Sequence, residues 1–263
     1  MKDLLRHFDG PDGEAQLWEQ DTETLLDHIG LAARESCLDL GPGKLGILRP
    51  LSRRVGRQGQ VICLLPHERH LADARRRIES AALVNVRLTT PPDLGSTLPA
   101  PFDLVHARFF LSGHRAPRDP IRPLLDLVRP GGAIAVQEPD ASVWPCYPPR
   151  KAWYRLTGAI QTILAAEGAD PRAGQRAFAL LRRAGLEGVR VRTVAVALHD
   201  SHPAMRLPIV LAETLRQPIT AAGLMSESEL DDALRECEQC LLDRETFVTT
   251  FLVTQVWGRK PEC

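Results

Sequence analysis

Short, continuously apolar runs alternate with helically spaced ones through the first half of the chain. Ser36-Cys37-Leu38-Asp39-Leu40 and Val61-Ile62-Cys63-Leu64-Leu65 have strand length and little alternation of polarity. Val86-Arg87-Leu88-Thr89, Phe102-Asp103-Leu104-Val105-His106 and Ala133-Ile134-Ala135-Val136-Gln137 read as strands too. Between these runs, residues 45–55, 66–82 and 120–128 carry the spacing of helices, and Pro66 suits a first helical turn. Strands that helices cover on both faces need not alternate in polarity. Strand and helix in turn over about 100 residues therefore predict right-handed βαβ crossovers and a doubly wound, mostly parallel α/β sheet.

The flanks differ. Residues 14–31 place Leu17, Leu25, Leu26 and Ile29 at helical spacing. After Pro139, helices are expected over 151–167, 172–184, 204–222 and 226–242; Ser226 and Glu229 supply a capping box for the last. Residues 189–197 alternate with period two, and 246–257 read as one long closing strand. The insertion between those two strands, about 45 residues, is too long for a plain connection and is expected to build a cap over the sheet's carboxyl edge. The expected organisation is one domain, with an N-terminal helical segment (1–33), a nucleotide-fold core (34–140), a helical cap (148–185 and 200–243) and a closing strand (246–258).

Composition narrows the class. With 263 residues, 44% of them apolar and 25% charged, the chain can bury a substantial core. Its 33 basic and 33 acidic side chains cancel, which argues against a nucleic-acid partner. No apolar run approaches the roughly 18–20 residues of a membrane span. The start, Met1 to Asp9, carries acids and lacks the apolar stretch of a signal peptide, so a cytoplasmic location is expected. Twenty-nine Arg against four Lys, with 21 Pro, is the bias of a high-GC bacterial genome. Of the six cysteines, Cys37 and Cys63 sit in strands as small hydrophobes, and Cys237-Glu238-Gln239-Cys240 lacks a second pair. His67 with His70, and His199 with His202, lack a third ligand nearby, so no metal site is expected. No G-x-S-x-G elbow is present, and Ser112 before Gly113 lacks its flanks.

In an open α/β sheet, ligands bind outside the carboxyl ends of the strands. Gly41-Pro42-Gly43-Lys44-Leu45-Gly46 follows the first strand and fits G-x-G-x-x-G, a pattern that also fits a tight turn with no ligand. Asp39 precedes it by two residues, where nicotinamide-binding turns usually carry an apolar side chain. Together, Leu38-Asp39-Leu40-Gly41-Pro42-Gly43, Phe102-Asp103-Leu104-Val105-His106-Ala107-Arg108 and Leu125-Asp126-Leu127-Val128-Arg129-Pro130-Gly131-Gly132 resemble class I S-adenosylmethionine-dependent methyltransferases. Gln137-Glu138-Pro139-Asp140, then Trp144, Cys146-Tyr147-Pro148-Pro149 and Trp153, resemble a bacterial small-molecule subfamily. The resemblance implies a Rossmann-like, seven-stranded sheet whose last strand is antiparallel, here Leu252 to Gly258. It also implies a cofactor site at Asp39, Gly41, Gly43 and Gly46.

Three positions depart from that family's pattern. Leu45 stands where the glycine loop would carry another glycine, against the methionine portion of the cofactor. Leu65 stands where an acid would receive both ribose hydroxyls. Pro91-Pro92 replaces the pair that reads adenine, with Asp93 one place on as a substitute. Together these losses amount to roughly 3–6 kcal/mol of cofactor binding. The expected activity is therefore a methyltransferase fold repurposed, within bacterial secondary metabolism, as a cofactor-independent cyclase, pericyclase-like or acid/base, acting on an apolar polyketide-type molecule. The alternatives are a true S-adenosylmethionine-dependent O-, N- or C-methyltransferase and a non-catalytic binding partner. Expected catalytic groups are His106, Glu138 and Tyr147, around one cavity with Gly43. Trp18, Arg108, Asp140, Trp144, Trp153 and Tyr154 are expected in the substrate pocket, and a homodimer is compatible with the sequence.

Overall fold

The computed structural model describes residues 17–40, 45–65, 68–90, 101–113, 119–200 and 202–262. The core runs α1 (Glu19–Ile29), β1 (Ser36–Leu40), α2 (Leu45–Val55), β2 (Gln60–Leu64), α3 (Leu71–Ser80), β3 (Val86–Thr89), β4 (Phe102–Arg108), α4 (Arg122–Leu125) and β5 (Val128–Asp140). Then follow β6 (Cys146–Tyr147), α5 (Lys151–Ala166), α6 (Ala173–Arg183), β7 (Glu187–Val194) and β8 (Ala197–Leu198). The chain ends with α7 (Leu207–Thr214), α8 (Arg216–Ala221), α9 (Glu227–Leu241), β9 (Phe247–Thr249) and β10 (Leu252–Arg259).

The main sheet has the order β3-β2-β1-β4-β5-β10-β7. Neighbours from β3 to β5 are parallel, while β10 is antiparallel to both β5 and β7. This is the expected doubly wound sheet with one reversed strand. One apolar layer joins α1, α2 and α3 to Cys37, Cys63, Leu104, Ala135 and Trp257. The other joins α4 and α6 to Leu38, Val105, Ile134, Val136 and Val256. The central strands β1, β2, β4 and β5 thus bury both faces, which accounts for their apolar runs. A third layer, built by α5, α7 and α9 with Trp144 and Phe251, forms the cap.

Five elements differ from the sequence reading. Arg129-Pro130-Gly131-Gly132 is not a turn before β5 but an irregularity inside it, where pairing with β4 shifts register. Gly131 holds φ +73, its N–H meets Lys260 O at 2.9 Å, and a Cβ on Gly132 would lie 2.8 Å from Val128 Cγ2. The expected strands at 189–197 and 246–257 each break at the same level. There Thr250 N donates to Val196 O, and Val196 N to Thr250 Oγ1, and the chain leaves the main sheet for a second one, β6-β9-β8. The helix expected at 204–222 divides after Thr214, because Pro218 lacks an N–H and its ring crowds the carbonyl four residues back. The helix expected over 120–128 shrinks to α4, and just before it Asp119 Oδ1 accepts from Ile121 N. The Ser226–Glu229 capping box opens α9 as expected. Among the described residues, no helix is long and apolar enough to cross a membrane.

Candidate active site

A polar side chain inside an apolar strand must find partners or lose stability, and several strands carry one at the same level of the α1-facing side. Asp39 on β1 sits beside His106 on β4, and both are buried. His106 Nδ1 lies 2.8 Å from Asp39 Oδ1. Its Nε2 lies 3.0 Å from Gln137 Nε2 on β5. Gln137 Oε1 accepts from Arg108 Nη2 at 3.2 Å and from Gln255 Nε2 of β10 at 3.1 Å. Gln255 Oε1 accepts from Arg192 Nη1 of β7, whose Nη2 pairs with Asp21 of α1 at 2.7 Å. Arg108 Nη2 also donates to Thr22 Oγ1 on α1 at 2.7 Å, and its guanidinium lies 5.9 Å over the Trp18 ring. Burial pulls Arg108 down to about 10 against the pull of Asp39 and Asp21, and its Nε has no partner among the described residues.

Glu138 follows Gln137 by one residue, so the pleat turns it to the other face. Its Oε1 accepts from Phe110 N and Leu111 N, both at 2.8 Å, and its Oε2 from Ser112 N at 3.1 Å. Burial raises its carboxyl to about 8, while those three N–H groups and Arg176 act the other way. Glu138 thereby anchors the turn at Leu111–Gly113 after β4. Asp140 is likewise engaged, accepting from Ser142 N and Oγ and from Gln175 Nε2. Tyr147 is 58% exposed and stacks on Phe247 at 5.4 Å. The expected grouping of His106, Glu138 and Tyr147 around one cavity is corrected: the first two face opposite sides of the sheet, and the third belongs to the small sheet.

The expected pocket aromatics also separate. Trp18, Phe109, Phe251 and Trp144 form one chain of ring contacts, with centroids 6.2, 5.7, 6.1 and 5.4 Å apart. Trp153 is fully buried, and its Nε1 donates to Trp144 O at 2.8 Å, so it is cap core. Tyr154 is exposed on α5. An open concavity of ≈ 600 Å³ lies between the end of α5 and the start of α6, lined by Gln161, Thr162, Asp170, Arg172 and Arg176. No expected site residue lines it.

The glycine turn's Gly41 and Gly43, the adenine-side Pro92 and Asp93, and His67 lie outside the described residues; Gly46 falls in the first turn of α2. Leu65 directly follows β2, its N–H donating to Thr89 O at 2.8 Å, and its side chain is 0% exposed within the α1–α3 apolar layer. An S-adenosylmethionine ribose needs a hydrogen-bonding partner at the strand end where Leu65 stands, and a buried aliphatic side chain has none to give. Asp39 stands just before the glycine turn, and among the described residues Leu65 does not fit the ribose of that cofactor. No group of three metal-ligating side chains occurs among the described residues. The sequence reading missed Gln137 and Gln255 as site residues and left out Thr22, Asp21 and Arg192. The available signal was an amide at an inward position of two apolar strands.

No protein-family model and no curated protein sequence matches the chain. Solved structures do. A methyltransferase-like protein from Bacillus halodurans C-125 aligns with TM-score 0.59 at 15% identity, over 92% of this chain and 99% of its own. A SAM-dependent methyltransferase from Aquifex aeolicus aligns with TM-score 0.50 at 20% identity, over 74% and 92%. The [4+2]-cyclase SpnF aligns with TM-score 0.52 at 19% identity, over 96% and 85%. Strand order, the reversed β10 and these likenesses agree: the chain has the class I methyltransferase-like, Rossmann-like fold.

Proposed function

We propose that the protein is a methyltransferase-fold enzyme of bacterial secondary metabolism that closes a ring in a polyketide-type small molecule without using S-adenosylmethionine. The observation that carries this reading is Leu65, packed into the apolar layer at the strand end where a ribose-binding acid would stand. Intramolecular ring closure conserves every atom of the substrate and needs no co-reactant. An apolar enclosure can supply rate by holding a flexible chain in its reactive conformer. The ring-contact chain from Trp18 through Phe109 and Phe251 to Trp144, beside the cap's apolar layer, is the surface suited to that task. Arg108, at the carboxyl end of β4 beside Trp18, is the donor suited to polarising a carbonyl. The [4+2]-cyclase among the solved structures is a precedent for ring closure on this fold, by analogy alone.

Calorimetric titration with S-adenosylmethionine and S-adenosylhomocysteine tests the reading. Binding weaker than about 100 μM is expected, since a dry ribose site costs two decades or more. Low-micromolar binding, or S-adenosylhomocysteine carried through purification, would overturn it. The second reading, an S-adenosylmethionine-dependent methyltransferase, would then lead. Asp39, intact before the glycine turn, is the observation that favours it.

A further inference from the structure

On the α1 side of the sheet, Arg192, Gln255 and Gln137 stand in register on β7, β10 and β5, and His106 and Asp39 stand in register on β4 and β1, two residues back from Arg108, the β4 partner of Gln137. A glutamine amide or an imidazole can be turned either way round, but a guanidinium only donates. Arg192 Nη1 donates to Gln255 Oε1 at 3.0 Å, which turns Gln255 Nε2 towards Gln137 Oε1. Arg108 donates to that same Gln137 oxygen. With two donors on Oε1, Gln137 presents Nε2 to His106 Nε2 at 3.0 Å. The ring nitrogen facing an amide N–H accepts. The ring proton therefore sits on Nδ1 and is given to Asp39 Oδ1 at 2.8 Å. Donors run one way from a cation at β7 to a carboxylate at β1.

The charges agree with this order. Asp21 of α1 is paired with Arg192, while Arg108 and Asp39 stand at the two ends of the His106–Gln137 bridge. Among the described residues, the remaining polar neighbours Thr22 of α1 and Cys63 of β2 add no charge, the Cys63 thiol being held protonated by burial. Two acids and two guanidiniums cancel only around a neutral imidazole.

We propose that His106 is a positioning residue, held as the neutral Nδ1–H tautomer by the row of donors that starts at Arg192, and that it presents Asp39 at the start of the glycine turn. The assignment goes beyond the proposed reaction, because it concerns how the site is held and not which bond forms there. With Nδ1 facing Asp39 and Nε2 facing Gln137, the imidazole ties β1 to β5 as a strut.

The test is long-range 1H–15N correlation on the full chain with 15N-labelled histidine, His106 being identified by the signals missing from His106→Gln. At pH 7 the expected spectrum has a protonated Nδ1 and an unprotonated Nε2. Arg192→Met, at the half-exposed far end of the row, is expected to convert this single tautomer into a mixture with the Nε2–H form, and Arg192→Lys to restore it partly. A wild-type His106 that is doubly protonated or carries its proton on Nε2 would overturn the proposal whatever the variants do. So would a folded Arg192→Met, or Gln255→Leu, with unchanged His106 signals.

Discussion

The two faces of the sheet each bury a carboxyl group near the ends of the central strands, and they satisfy it in opposite ways. On the α6 side, Glu138 is saturated by three backbone N–H groups of the turn after β4. On the α1 side, Asp39 meets a side chain, His106, which is tied through Gln137 and Gln255 to Arg192 four strands away. Backbone donors cannot be re-aimed without moving the chain, so the first arrangement fixes a turn. Side-chain donors can be exchanged or reoriented, so the second can hold one group in a chosen state beside a ligand. Two neighbouring residues, Gln137 and Glu138, thus serve different ends because the pleat sends them to different faces.

The sharpest challenge to this contrast is to place a charge on the α1 side but outside the row. Leu65→Asp is expected to cost about 4–5 kcal/mol in urea denaturation, because the new carboxylate is buried without a donor. It is also expected to leave S-adenosylmethionine binding no stronger. A stable variant with tightened binding would show that the end of β2 opens to a ribose after all.

Next in size is Glu138→Ala, which strands three backbone donors and is expected to cost about 3–4 kcal/mol, a fall of roughly 10 °C in thermal midpoint. An unchanged midpoint would remove Glu138 as the anchor of the turn. Its proton gives a second handle. The carboxyl is raised from 4.5 to about 8 by burial, so between those values the folded chain holds a proton that the unfolded chain has released. Stability from this group is present in full below pH 4.5 and lost as pH rises through 8. Measured by denaturation at pH 5 and pH 8, wild type should therefore lose stability relative to Glu138→Gln, and a difference that is flat with pH would contradict the assignment.

Gln137→Leu removes the bridge between Arg108 and His106, and about 2 kcal/mol is expected from the groups left unpaired. The loss should persist at high salt, since these groups are screened from solvent. Smallest is Trp153→Phe, which deletes one hydrogen bond to Trp144 O and is expected to cost about 1 kcal/mol. Because this bond belongs to the cap, it should leave the histidine spectrum unchanged; a shifted His106 signal would join the cap to the row.

Sequence by itself determined the five parallel strands and the helices α2, α3, α5, α6 and α9, while the reversal of the closing strand followed from the resemblance. Each carries its information locally: apolar runs of strand length, helical spacing, a capping box, and the segments around Asp39 and Arg129. It also marked His106, Arg108 and Glu138 as polar groups at strand ends, because such residues stand out against apolar neighbours. Which face each one takes depends on register, and register is a property of pairs of strands. Only the tertiary structure decided that Glu138 and His106 part company and that Tyr147 belongs to a small sheet no local pattern announces. It alone joined Asp39, His106, Gln137, Gln255 and Arg192, residues drawn from positions 39 to 255, into one hydrogen-bonded row. A hydrogen bond between distant strands has no local signature: its partners are chosen by the pleat, the strand order and the helix packed above them.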